Sequence, residues 1–381
     1  MNVEQQIKMD RRAFVAAVGA SGLFAPRSMA KPARGGAATA VLNEIQDVRR
    51  HGALGNGTTR DDAAFQAAVD SLPESGGMIH IPPGTYLRTE PTNTRGKPIL
   101  FAGSGQGATF LKVGHPDNDM FVHSGVDSAQ FRDFTLFHSV QRTGGAYIRI
   151  DPGAGKIAYS STIERVRMYG HYVGIDLVRC SDTRIRDCPM IGNARSYACV
   201  LLRNLTNADS GDNSISGCFF SGVGGAGIRQ ESSGGLRLLD NKFNGLVDSF
   251  VLCPQYKGHT TSILIIQGNS FENASRYNIL LQKGADDSIF TYGSIIGNEF
   301  GYTPIAICVS SDGNIFQDFI ISSNIFAIPE NGTAIVLDGG NTFSVKNNLF
   351  RGISNSGDSI KRTKNELNPQ IEGNIIKNLN S

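Results

Sequence analysis

Leu238-Leu-Asp-Asn241-Lys-Phe243 returns as Ile266-Gln-Gly-Asn269-Ser-Phe271, Ile295-Ile-Gly-Asn298-Glu-Phe300, Ile321-Ser-Ser-Asn324-Ile-Phe326, Val345-Lys-Asn-Asn348-Leu-Phe350 and Ile371-Glu-Gly-Asn374-Ile-Ile376. Successive Asn residues are 28, 29, 26, 24 and 26 positions apart. A looser form of the pattern extends upstream through Phe220, Met190, Met168 and Leu136, making ten copies. A period in the twenties marks stacked units, none of which can bury its apolar face alone. The segments are short, rich in Ile, Val and Phe, and bounded by Gly, Asn, Asp and Ser, so they read as strands and turns. Leucine-rich repeats share the period but need a leucine-dense consensus that is missing here. Each repeat is therefore one coil of several strands. The chain is expected to be all-β, a single right-handed parallel β-helix of about ten to twelve coils, with Asn at one turn position stacking along the axis. Asn usage agrees: 22 of the 27 lie beyond residue 190.

Composition fits this reading. The 381 residues are 40% hydrophobic and 18% charged, with 45 Gly, 6 Cys and no Trp, which excludes a disordered chain, a collagen and a disulfide scaffold. The formal charge of +2 comes from the first 30 residues. There Arg11-Arg12-Ala-Phe, a short apolar run through Phe24 and the small-residue site Ser28-Met29-Ala30 read as a twin-arginine export signal, too short to span a bilayer. Removing it takes four of the 36 basic and two of the 34 acidic residues, which leaves 32 of each. The expected organisation is a signal peptide at 1–30, a linker at 31–40 and the β-helix domain at 41–381. The expected location is periplasmic or secreted, with no membrane span in the mature chain. Basic residues do not cluster as a nucleic-acid partner requires. The six cysteines lack paired spacing and read as buried free thiols. Asp61 to Leu72 carries apolar residues at helical spacing, with Asp61 as N-cap, and is expected to close the N-terminal mouth of the stack.

The segment Asp47-Val-Arg-Arg-His-Gly52-Ala-Leu-Gly55-Asn-Gly57, with Asp61-Asp62, Phe65-Gln66-Ala67-Ala68 and Gly76-Gly77-Met-Ile-His80-Ile-Pro-Pro-Gly84-Thr-Tyr86, resembles the start of the pectate-lyase-like superfamily, in its rhamnogalacturonase and epimerase branch. With the coils, the resemblance covers about residues 41 to 380. It implies the β-helix fold and a polysaccharide partner, but not the reaction, since the superfamily holds lyases, glycosidases, epimerases, phage depolymerases and non-catalytic members. Many relatives use Ca²⁺ and assemble as homotrimers, so the resemblance makes those the cofactor and the assembly to look for. The polygalacturonase set of paired aspartates, Gly-His-Gly and Arg-x-Lys is absent, as is the Asp-Pro-His-Glu core of alginate epimerases. No residues have the spacing of a zinc site.

Within the repeat, the residue after the aliphatic position and the one before the Phe point outward. Those positions put a charged ladder in coils 130 to 190: Arg132, Glu164, Arg167 and Arg186, with His138, Tyr169, His171 and Asn193 just beyond the strand. Guanidinium forks bind carboxylates and Tyr stacks on sugar rings, so the set suits an acidic polysaccharide. The leading expectation is a lyase that works by β-elimination. His171 or Tyr169 would be the base and Arg167 and Arg186 the carboxylate clamp, with Arg132, His138, Glu164 and Asn193 binding substrate. The alternatives are a glycosidase, whose carboxyl pairs would be Asp209 with Asp212 or Glu231 with Asp240, and a solenoid that binds polysaccharide without turnover.

Overall fold

The computed structural model describes residues 44–203, 211–231, 234–255, 260–284, 289–311, 316–329, 331–352, 359–363 and 368–377. The twin-arginine segment and the linker at 31–40 lie outside the described residues. From residue 44 the chain winds as a parallel β-helix with three strands per coil. In one coil these are Leu236–Leu239, Lys242–Asn244 and Asp248–Leu252. First and second strands belong to a 24-stranded sheet bent at each repeat, while third strands form a separate sheet of 11, one for each of about eleven coils. All pairings are parallel and follow the repeat, for instance Phe220↔Phe243 and Phe243↔Phe271.

The bend between first and second strands takes two residues. The first is left-handed in coil after coil: Asp133, Arg165, Asp187, Gly217, Asp240, Gly268, Gly297, Ser323, Asn347 and Gly373 all have φ between 49° and 68°. Gly adopts this conformation without steric cost, and Asp and Asn tolerate it best among the others, so the sequence concentrates them there. The second residue turns into the barrel, where a polar side chain must find partners. Asn298 Nδ2 donates to Ile266 O at 2.9 Å and to Asn324 Oδ1 at 3.0 Å, while its own Oδ1 accepts from Asn269 N at 2.9 Å. The ladder repeats this from Asn241 to Asn374. Upstream, the same position is held by Cys218 and Cys188, whose thiols reach Ile185 O at 3.9 Å and Ile163 O at 3.7 Å. In the two coils before these, Val166 and Phe134 make it apolar. Below the ladder, Phe220, Phe243, Phe271, Phe300, Phe326 and Phe350 stack with centroids 4.7 to 5.0 Å apart, the coil spacing itself. All six cysteines are buried and free.

The helix expected at 61–72 forms at Asp62–Asp70 and buries Ala64, Phe65, Ala68 and Val69 against the first coils. Asp61 does not cap it through its side chain, because that carboxylate is drawn to Leu54 N at 2.7 Å. Asp62 instead accepts from Thr89 N, Glu90 N and the buried Arg88 Nε at 2.9 to 3.0 Å. The Arg88 guanidinium lies 4.1 Å over the Phe65 ring, so its charge is both paired and stacked. No helix among the described residues is long and apolar enough to cross a membrane.

Candidate active site

The eight residues expected to form one groove are distributed over two faces and the interior. Arg132, Glu164 and Arg186 do stand in register on the first face. Glu164 takes Arg186 Nε at 2.7 Å and Arg165 NH2 at 3.0 Å, and Arg165 also grips Asp133 at 2.7 and 3.1 Å. Arg186 is therefore committed to a neighbour and is not a free clamp. Arg167 and Tyr169 lie on the second face, in register with Thr135 and Phe137. Tyr169 is 36% exposed, and Arg167 has no ion pair among the described residues. The His138 ring packs so closely on the next coil that a Cβ at Gly170 would lie 2.0 Å from it. Asn193 spends its side-chain oxygen on Arg195 N at 2.9 Å, inside its own turn.

His171 is fully buried, with neither ring nitrogen bonded to protein. A base must reach the proton it removes, and from this position His171 cannot touch a sugar lying outside the coil. Burial, with smaller contributions from His138 and Arg142, pushes its pKa from 6.5 down to about 3. The folded state thus holds it neutral while the unfolded chain takes up a proton near pH 6.5. The stability this contributes is complete above that pH and is lost as pH falls toward 3, by up to about 1.4 kcal/mol per pH unit. Urea midpoints of the wild type should fall faster between pH 6.5 and 4 than those of His171→Leu; parallel slopes would contradict the assignment.

The third face carries a cleft. It measures about 310 Å³ and is lined by Asp119, Arg149, Tyr172, Asp176, Tyr197, Arg203 and Glu231 among others. Register assembles it: Arg149 lies opposite Asp176, and Asp176 opposite Leu201, beyond which comes Arg229. Asp176 receives Arg203 Nε at 2.9 Å and Arg149 NH1 at 3.4 Å. Burial nonetheless raises its pKa, because desolvation outweighs both guanidiniums. Tyr172 and Tyr197 stack with centroids 6.0 Å apart. Tyr197 OH contacts Glu231 Oε1 at 3.3 Å, and that same oxygen accepts Arg229 Nε at 2.6 Å. Burial and then Glu231 raise the Tyr197 pKa and keep it a proton donor. The Tyr172 hydroxyl has no partner among the described residues. Asp119 accepts from Ala146 N at 2.7 Å.

Apart from Glu231, considered only as half of a hydrolytic pair with Asp240, these groups escaped the sequence reading because no turn motif marks the third strand. The available signal was a charge inside otherwise apolar strands, as in Val173-Gly-Ile-Asp176-Leu-Val178 and Tyr147-Ile-Arg149-Ile150. The cleft carboxylates are engaged by guanidinium or backbone N–H donors. No group of three or more His, Cys, Asp or Glu among the described residues is placed to hold a metal ion. The cleft carboxylates, engaged in this way, do not fit a bound Ca²⁺.

Comparison with known proteins agrees with this architecture. Mannuronan C5-epimerase AlgE6 of Azotobacter vinelandii is 30% identical over 142 residues, which is 32% of this chain and only 16% of that protein. The solved AlgE6 A-module superposes with a TM-score of 0.55 at 17% identity, covering 87% of this chain and 99% of the module. An exopolygalacturonase from Thermotoga maritima gives 0.59 at 12%, covering 89% and 95%. A tailspike protein of Escherichia coli bacteriophage HK620 gives 0.62 at 14%, covering 89% and 67%. At these identities the structural likenesses establish a common fold. The family model described as rhamnogalacturonase A/epimerase, pectate lyase-like matches residues 45–273, well over half of the chain, and the protein belongs to that family.

Proposed function

We propose that the chain is a polysaccharide-processing enzyme that removes the C5 proton of a uronate residue and cleaves the chain by β-elimination, at the cleft of the third face. The observation that carries the reading is Asp176, a buried carboxyl of raised pKa held between Arg149 and Arg203 beside two stacked tyrosines. With Asp176 protonated, the Arg203 guanidinium is released to bind the substrate carboxylate, while Arg149, which also holds Asp151 at 3.0 Å, adds its positive charge beside it. Neutralising that carboxylate acidifies C5. Tyr172 lines the same cleft and, once its hydroxyl proton has passed to solvent, takes the C5 proton. Tyr197, kept protonated by burial, gives its proton to the departing O4 as the C4–O4 bond breaks. The product is a new reducing end and a C4=C5 unsaturated uronate. The sequence relative whose name specifies a C5-epimerase supports a uronate substrate, since epimerisation begins with the same proton abstraction. Export by the twin-arginine route to the periplasm or beyond belongs to the same reading, on the strength of Arg11-Arg12 and Ser28-Met29-Ala30.

Incubation with a panel of uronate polysaccharides tests it. Ultraviolet absorbance of the unsaturated product should rise in step with reducing ends. Reducing ends without absorbance would assign hydrolysis, for which Asp119, Asp176 and Glu231 in one cleft would supply the carboxyls. Glycan binding with neither product would leave the binding solenoid.

A further inference from the structure

On the first face, at the N-terminal end of the stack and away from the third-face cleft, three side chains from successive coils form a line. Asp47 ends the strand Ile45–Asp47, His80 lies in Gly77–Ile81, and Ser104 follows Ile99–Gly103. Parallel register sets Asp47 opposite His80 and His80 opposite Ala102, two residues before Ser104. The Asp47 Oδ2 is 3.3 Å from His80 Nδ1, and His80 Nε2 is 3.3 Å from Ser104 Oγ. The other Asp47 oxygen accepts Arg49 N at 2.8 Å, which fixes the carboxylate from behind. Ser104 is exposed, while side-chain exposures of 37% for His80 and 27% for Asp47 leave the imidazole reachable and the carboxylate half sheltered.

We propose that Ser104, His80 and Asp47 are a second active centre, a serine esterase acting on O-acyl esters such as those carried by sugar hydroxyls. Carboxylate to Nδ1 and Nε2 to hydroxyl is the order of contacts that lets an imidazole take a serine proton, and such contacts are long before substrate binds. The competing partner of Ser104 Oγ, Ile81 O, is farther at 3.5 Å. The turn after Ser104 supplies the other requirement. Gly105 N is spent on Asp133 O and Ala108 N on Gly105 O, but the backbone N–H groups of Gln106 and Gly107 bond nothing among the described residues. Free N–H groups beside the nucleophile can receive an oxyanion. No side chain crowds the turn, since a Cβ at Gly105 or Gly107 would meet nothing within 4 Å.

Ser104 Oγ attacks the ester carbonyl as its proton passes to His80 Nε2, and negative charge forms on the carbonyl oxygen. Collapse expels the alcohol, which takes the proton from His80, and leaves an acyl group on Ser104. Water, deprotonated by His80, then releases the carboxylic acid and restores Ser104. One ester and one water give one acid and one alcohol, with no other reactant.

Purified full-length protein with p-nitrophenyl acetate is the test, because that ester carries no uronate and its outcome is independent of the elimination reaction. Saturable hydrolysis is expected, with kcat falling at least tenfold in Ser104→Ala and His80→Ala at nearly unchanged KM. Phenylmethylsulfonyl fluoride should leave one sulfonyl adduct on Ser104, found by peptide mass mapping and absent in His80→Ala. Hydrolysis that is no faster than in Ser104→Ala, or an adduct elsewhere, would overturn the proposal. Unchanged circular dichroism of the variants separates a lost centre from a lost fold.

Discussion

Tyr172→Phe is expected to lower kcat for elimination by about 10²- to 10⁴-fold, the usual range for loss of a positioned acid or base. The change removes one oxygen and leaves the ring, so the 6.0 Å stack with Tyr197 and the sugar-facing surface persist. The lost hydroxyl has no partner among the described residues, so stability should be unaffected and KM nearly constant. A fall in kcat and kcat/KM together at constant KM is the signature of an interaction made only in the transition state. Tyr169→Phe and Arg186→Ala, on the second and first faces, should leave turnover intact. If they abolish turnover while Tyr172→Phe does not, the reacting face is the one first read from the sequence.

Asn298→Ala is expected to destabilise the protein by about 3–5 kcal/mol. The substitution deprives Ile266 O and Asn269 N of side-chain partners in the middle of the stack and opens a cavity between coils. An unpaired buried backbone group costs about 1–3 kcal/mol, and the missing atoms add a packing loss. Asn374→Ala should cost less, because that Asn is only half-buried and its oxygen serves the last rung alone. Urea unfolding with far-ultraviolet circular dichroism measures both. A loss under about 1 kcal/mol for Asn298→Ala would mean that the ladder fixes register without stabilising the stack.

The legible part of this sequence was the part anchored to a turn. Asn, the residue before it and the Phe two positions later recur because one bend demands a left-handed residue, an inward polar ladder and an inward ring in every coil. That constraint is local, so it shows as a period, and the in-register outward positions Arg132, Glu164 and Arg186 followed correctly from it. Which face reacts is a different kind of fact. Arg149, Asp176 and Arg203 are far apart in the chain and meet only through the stacking of third strands. His171 misled because it follows a turn, where alternation restarts and a polar residue can face inward as readily as outward. Asp47 and His80 were visible within the segment that carries the family resemblance, yet their contact also depends on register between coils. Net charge sharpened one point: with 32 basic and 32 acidic residues left after the N-terminal segment, an acidic polymer must be held locally. Arg149 and Arg203 are tied to a buried carboxyl of raised pKa, an arrangement that can exchange one carboxylate for another.

The location of the substrate is the central claim, and a crystal structure of the Tyr172→Phe protein with a bound uronate oligosaccharide tests it most directly. The sugar is expected across the third face, its carboxylate on Arg203 beside Arg149, and C5 facing residue 172. An oligosaccharide lying instead along Arg132, Arg167 and Tyr169, with the third-face cleft empty, would contradict the account.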